Sequence, residues 1–343
     1  MTDTARLIDC LGAAYRLDLD GAEYVQHIVE TAAPLLDRGF GVFAYTYDAR
    51  DRKRPAMIHC AGSKRFNPGW LPPFYAALEA AGLRGPPYPT GFHAWSHVSC
   101  GRASAIRRMS PILPLFAHMG GSRDTFAMNA LDASGQGLWL GAPLPSVRKE
   151  QSRRVELFTR VAAHLTAAMR LRRNAGRSKP RPAAVLSPSG ALLHAEHAEA
   201  EEGVVDAREE LRQATIAFDE ARTKKKRADV EETTQRWRPL VGSRWSLLDD
   251  FDTDGRRFVL AVENAPPTRP PRKDLSEREH QIMTQAHLGH TDKVIAYELG
   301  LAPSTVRVLL HRASRKLGAS TRSEALARFD ALVNARSGDE PAR

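Results

Sequence analysis

The residues best suited to chemistry in this sequence are cations gathered on one helix-length stretch, and the chemistry they suit is the reading of a polyanion. From Ser304 to Leu317, Val306, Leu309, Leu310, Ala313 and Leu317 fall on one apolar stripe at helical spacing. Thr305, Arg307, Val308, His311, Arg312, Ser314, Arg315 and Lys316 occupy the other arc; four of these eight are basic and none is acidic. A solvated helix face usually mixes signs, because like charges repel and opposite charges four residues apart stabilise. Here Arg307, His311 and Arg315 project from one side at four-residue intervals, with Thr305, Val308, Arg312 and Lys316 beside them. The DNA major groove admits one helix and offers hydrogen-bond acceptors to Arg. An ordinary basic surface helix is the rival reading of this stretch taken alone.

Catalysis and metal binding find less material. No Gly-x-x-x-x-Gly-Lys phosphate loop and no nucleophile elbow occurs. No paired acidic residues follow the early strand-like runs, as a phosphorylated receiver would need. His93, His97 and Cys100 would offer three soft ligands if helical, yet Pro86, Pro87, Pro89 and Gly91 stand just upstream and no fourth ligand is evident. A structural role is expected for these three, with no metal, no cofactor and no enzymatic activity. An enzyme whose C-terminal part only targets it would need a convergent acid/base or nucleophile set in residues 1–175, and none is found.

The cationic stretch is positioned by its neighbours. Ser276-Glu277-Arg278-Glu279 is a capping box ahead of an apolar run carrying Ile282, Met283 and Ala286. Thr291 can cap a second helix that buries Val294, Ile295, Ala296 and Leu299 and stops at Gly300. Leu301-Ala302-Pro303 makes a short turn into the basic helix, which Gly318 ends. Thr321-Arg322-Ser323-Glu324 is a second capping box, opening a fourth helix with Ala325, Leu326, Phe329 and Val333 inside. A basic helix that follows a tight helix-turn-helix is a DNA reader rather than a bland surface.

Two proline-rich stretches, Arg177–Pro182 and Asn264–Arg272, cannot continue a helix or a central strand and divide the chain into 1–178, 179–270 and 271–343. The first part has a helical pattern through Tyr24, Ile28 and Leu35, strand-like runs at Phe40–Tyr47 and Leu138–Leu140, and a closing helix with Val155, Phe158, Ala162, Leu165 and Met169 inward. The second opens with a hairpin about Pro188-Ser189-Gly190 and closes with another about Asp252–Gly255, whose second arm places Phe258, Leu260 and Val262 on one apolar face. Between them, Val204, Leu211 and Phe218, with Ala207, Ala214 and Ala221, form a seam. That seam suits a helix packed on its own domain or one that pairs with a second chain.

The C-terminal motifs, in order and in register, closely resemble the LuxR/GerE-type helix-turn-helix of bacterial transcription regulators. They are Leu275-Ser276-x-Arg278-Glu279, Gly289-x-Thr291-Asp292-Lys293-x-Ile295-Ala296, Leu299-Gly300-Leu301, Thr305-Val306-Arg307, Lys316-Leu317-Gly318 and Arg322-x-Glu324-Ala325. The resemblance implies that the third helix enters the major groove and that the fourth supports dimerisation. By position it puts Arg307, Val308 and His311 at bases and Lys293, Thr305, Arg312 and Arg315 near phosphates, with Lys316 on the same DNA-facing surface and Thr305 aided by its helix N-terminus. The sequence departs from the family at Ala302, where a hydroxyl cap is usual and Ser304 is expected to substitute, at Leu309 (often His) and at Val294 (often Glu). The basic helix also resembles the DNA-reading helix of sigma factors, but no promoter-melting companion is found. Residues 1–178 resemble a GAF-type sensor, and the two hairpins resemble the edges of a PAS-type domain.

Composition agrees. Lys and Arg number 50 against 40 Asp and Glu, a formal net charge of +10 over 343 residues, which favours a polyanionic partner. Three scattered cysteines suit a reducing compartment, and neither an apolar leader nor a membrane-length apolar run is present, so a cytoplasmic protein is expected. The expected fold is multidomain α+β, with GAF/PAS-like sheet-and-helix sensor regions followed by an all-α four-helix helix-turn-helix domain. The expected partners are double-stranded promoter DNA, RNA polymerase, a second copy of the chain and a small-molecule or protein signal. A protein-interaction scaffold, its basic helix docked on an acidic protein, is the other alternative.

Overall fold

The computed structural model describes residues 3–16, 18–49, 56–83, 95, 98–132, 135–175, 183–195, 204–223, 232–234, 237–241, 245–251, 257–263, 275–287, 290–299 and 301–335. Both proline-rich stretches, and His93 and His97, lie outside them. The first half is built on an antiparallel sheet of β1 (Phe43–Asp48), β2 (Ala56–Gly62), β3 (Cys100–Arg102), β4 (Asp124–Leu131) and β5 (Gln136–Leu144), in the order β2-β1-β5-β4-β3. Strand alternation sorts its side chains onto two faces. Phe126, Met128, Leu138, Leu140 and Ala142 pack under α1 (Asp3–Ala14), α2 (Gly21–Leu36) and α4 (Ser152–Ala175). On the opposite face Phe43, Ala127, Tyr45 and Trp139 meet α3 (Leu71–Ala80) and the 3-10 turn Leu113–His118. A sheet with helical layers on both faces results. Asp20 and Glu23 form a reciprocal capping box that starts α2.

A second antiparallel sheet, in the order β7-β6-β9-β8, comprises β6 (Ala184–Leu186), β7 (Leu192–Ala195), β8 (Trp245–Phe251) and β9 (Arg257–Glu263). The two expected hairpins are there, with one correction. The fully buried face of β9 carries Val259 and Ala261, while Phe258, Leu260 and Val262 are only half-buried. Both faces of β9 are apolar, so alternation alone left its orientation open. Its register sets Ala261 between Ala184 and Leu247, and Val259 beside Leu186. The heptad-like seam is also resolved. In α5 (Val204–Thr223), Leu211, Ala214, Ala217 and Phe218 are buried in the chain's own core, so the middle of the seam is not free to pair with a second chain; the side chains of Val204, Ala207 and Ala221 lie outside the described residues. That core continues without a break from α1 and α4 to both sheets.

The last four helices, α6 (Glu277–His287), α7 (Asp292–Leu299), α8 (Pro303–Lys316) and α9 (Arg322–Ala335), enclose their own core of Leu275, Ile282, Met283, Ile295, Val306, Leu310 and Phe329, among others. Among the described residues no helix is long and apolar enough to cross a membrane.

Candidate nucleic-acid interface

Local sequence explains why α6 to α9 form where they do. Ser276 Oγ accepts from Glu279 N at 3.3 Å and Glu279 Oε2 accepts from Ser276 N at 2.7 Å, the reciprocal bonds of the expected box. Thr291 Oγ1 accepts from Val294 N at 3.4 Å at the start of α7. Thr321 Oγ1 accepts from Glu324 N, but the Glu324 carboxylate turns to Ser320 instead of closing the second box on Thr321. The start of α8 corrects the expectation for Ser304: the N-cap is Ala302, with no side-chain cap bond. Pro303 at the first helical position lacks one of the N–H groups that have no partner inside the helix.

Four of the five stripe residues of α8 are buried: Val306 and Ala313 fully, Leu310 and Leu317 nearly so, while Leu309, at the edge of the stripe, is only half-buried. The opposite arc faces out. Thr305, Arg307, Val308, His311, Arg312, Arg315 and Lys316 are all exposed; Val308, at 49%, is one of the few large apolar side chains in that state. Arg307 and Lys316 each carry one acidic neighbour. Arg307 Nε stands 3.8 Å from Asp292 Oδ2, whose other oxygen receives Arg322 Nη1 at 2.5 Å. Lys316 Nζ donates to Glu279 Oε2 at 2.7 Å, joining the end of α8 to the start of α6. Burial pushes the Glu279 carboxyl up, yet the bonds from Lys316 and Ser276 outweigh it and leave it below its ordinary value. Lys293, at the start of α7, reaches Glu156 of α4, Nζ to Oε2 3.4 Å.

Residues 273–329 match the family model for GerE, bacterial regulatory proteins of the luxR family. The C-terminal unit is a luxR-family helix-turn-helix domain. The protein is accordingly a transcription regulator that binds DNA. Among solved structures, Escherichia coli SdiA matches with 14% identity over 92% of this chain and 93% of that one, at a TM-score of 0.30. SdiA in complex with octanoyl-rac-glycerol matches with 13% identity over 93% and 91%, at 0.33. A comparison with curated proteins gives no match.

The luxR-family domain is fastened to the body through α7, which the sequence reading did not foresee. Val294 to Glu298 are all buried, so α7 has no solvent face along that stretch. Tyr297 Oη donates to Thr234 O at 2.5 Å and lies 3.1 Å from His164 Nε2, and His164 Nδ1 lies 2.6 Å from Tyr15 Oη. Because the Tyr297 proton goes to Thr234, His164 donates from Nε2, and Nδ1 accepts from Tyr15. His164 is fully buried, and burial lowers its pKa from 6.5 to about 3, so the imidazole is neutral. Arg238 donates to the carbonyls of Ala296 and Tyr297 at 3.0 and 2.9 Å, near the C-terminal end of α7.

A second feature is an apolar pocket between the first sheet and α3 with the Leu113–His118 turn, about 730 Å³ with its mouth included. Tyr45 and Trp139 stack at 5.4 Å on its floor, and Phe74, Trp95, Met109 and Phe116 line it with them. Trp95 is anchored by Asn129, which donates to its carbonyl at 3.0 Å and accepts from Tyr47 Oη at 2.7 Å. The sequence reading assigned none of these residues to a site. The aromatic run from Phe43 to Tyr47 was the available signal. Cys100 is buried in β3, and burial holds its thiol protonated. Among the described residues no cluster suits a metal ion.

Proposed function

We propose that α8 reads the major groove with Arg307, Val308 and His311 at base edges, and that Thr305, Arg312 and Arg315 on α8 and Lys293 on α7 take phosphates. Lys316 holds α8 to α6 through Glu279 and orients the reading face. One observation carries this reading: a single-signed, solvent-facing arc on a helix whose other arc is packed through Val306, Leu310, Ala313 and Leu317. Residues 1–178 are a GAF-like sensor whose pocket takes an uncharged, mainly apolar small molecule; among the described residues the lining is aromatic and aliphatic apart from Thr125 and holds no charged side chain. Residues 179–270 are a PAS-like relay and 271–343 the DNA-binding domain. The protein works in the cytoplasm as a regulator and not as an enzyme, binds promoter DNA as a homodimer and engages RNA polymerase.

Site selection on random duplexes, followed by anisotropy titration of the selected site, tests the assignment. Arg307→Ala should cost about 1–3 kcal/mol and relax preference at one base pair. Lys293→Ala should weaken all sequences alike and shallow the salt slope by about one. Equal losses on selected and random duplexes for Arg307→Ala would refute its role as a base reader.

A further inference from the structure

We propose that the α4–α7 contact is a clamp that lowers DNA affinity, with the Glu156 carboxylate competing with a DNA phosphate for Lys293. The proposal rests on the assignment of Lys293 to a phosphate and adds the regulation of that site. Glu156, Arg160 and His164 recur every four residues along one side of α4, and each meets α7. Glu156 reaches Lys293 at 3.4 Å, and Arg160 lies over the Tyr297 ring at 6.0 Å while pairing with Glu156 at 3.6 Å. His164 bonds the Tyr297 hydroxyl. The rim of this contact is charged and exposed, and its centre is neutral and buried. The rim pair is labile and the centre is not.

The reading face of α8 stays open, so the clamp does not work by covering it. It works at the edge. A phosphate approaching Lys293 meets a carboxylate already in place, and the two anions cannot share one ammonium without repulsion. A clamped domain therefore reaches DNA with one phosphate contact fewer. Parting α4 from α7 restores that contact. The buried hydrogen-bonded chain through His164 and Tyr297 makes parting an all-or-none step, because opening it leaves several buried polar groups to be hydrated together.

The test titrates full-length protein into a labelled random-sequence duplex across a range of salt, comparing wild type, Glu156→Gln, Lys293→Ala and the double variant. Glu156→Gln removes one charge at an exposed position. It should raise affinity by up to about fivefold, the range of an exposed ion pair. It should also steepen the dependence of log K on log salt by about 0.9, one more phosphate neutralised. Both gains should vanish in the double variant. Unchanged affinity in Glu156→Gln, or a gain that survives Lys293→Ala, overturns the clamp and leaves the assignment of α8 standing. If wild type and Glu156→Gln both ignore the duplex at low salt, the DNA-binding assignment itself fails and the clamp with it. Hydrogen exchange without DNA gives an independent reading. Tyr297→Phe should increase exchange in residues 156–164 and 292–299 together, and faster exchange in only one of the two segments contradicts a joint opening.

Discussion

Acid should weaken this protein through one imidazole. His164 sits fully buried between Tyr15 and Tyr297 with both ring nitrogens engaged, and its pKa falls from 6.5 to about 3. In the unfolded chain it titrates at its ordinary value, so below pH 6.5 the unfolded state binds a proton that the native state refuses. The folded pKa is the depressed one. The contribution is therefore complete above pH 6.5 and is lost as the pH falls toward 3. Between pH 8 and pH 5 the native site stays neutral while the unfolded histidine is almost wholly charged, a loss of about 2 kcal/mol at 1.36 kcal/mol per unit. Urea titrations at pH 8, 6.5 and 5 on wild type and His164→Gln measure it. Glutamine keeps one donor and one acceptor and does not titrate, so contributions from other groups cancel in the difference. The variant should be the less stable protein at pH 8 and should close about 2 kcal/mol of that gap by pH 5. Parallel pH profiles would show that His164 is protonated, or reachable by water, in the native protein, and the neutral hydrogen-bond direction assigned here would be wrong.

Three further outcomes follow from the geometry. Ala302→Ser supplies the absent hydroxyl cap of α8 at a residue already in extended conformation, φ −76° and ψ 145°; it should stabilise by about 1 kcal/mol in denaturant titrations, and no gain would mean that Pro303 already suffices. Lys316→Met strips the buried Glu279 carboxylate of its ammonium and should cost about 1–3 kcal/mol in stability while leaving base preference at selected sites unchanged. A shift in base preference would place Lys316 at the DNA instead. A Cβ on Gly141 would stand 2.2 Å from Trp139 Cη2, so Gly141→Ala must push the indole off the pocket floor. Overpacking of this kind costs about 1–3 kcal/mol, and thermal shifts produced by apolar compounds in wild type should disappear; shifts that persist unchanged would move the ligand site elsewhere.

The helix-turn-helix domain was legible in the sequence because every signal in it agrees. Apolar residues recur at helical spacing, caps precede them, and Gly318, with φ +70°, ends α8. One exception is the start of α8, where Ser304 looked like a cap but the helix begins at Pro303 behind an uncapped Ala302, so Ser304 already lies inside it. The first half was less legible for two physical reasons. Strand β4, Asp124–Leu131, is buried along its whole length and so has no polar alternation, and its buried Asp124 is satisfied by Ser104 at 2.7 and 3.0 Å, which no local pattern reveals. Edge strand β2, Ala56–Gly62, is mostly exposed and has no clear alternation either. The site missed altogether was the contact between α4 and α7. A histidine among alanines on α4 looks like core, and a tyrosine on α7 looks like a domain-internal residue; only the fold shows that they meet.

That contact also constrains how any signal could reach DNA. Strands β4 and β5 lie between the aromatic pocket and α4, with Thr125 and Trp139 on the pocket face and Phe126 and Leu140 on the helix face. Helix α4 is buried all round from Val161 to Ala168, because the sheet takes one side and α7 lies against another. A shape change at the pocket floor that moves these strands must therefore be taken up by α4, and a close-packed helix shifts as a unit rather than deforming. Such a shift carries Glu156 and His164 with it, one at the exposed rim of α7 and one at its buried centre. The reading face on α8 needs no movement of its own. On the proposed clamp, what would change is how many phosphates the domain can neutralise when it arrives, a change in affinity for every sequence alike, with base preference left to the exposed arc of α8.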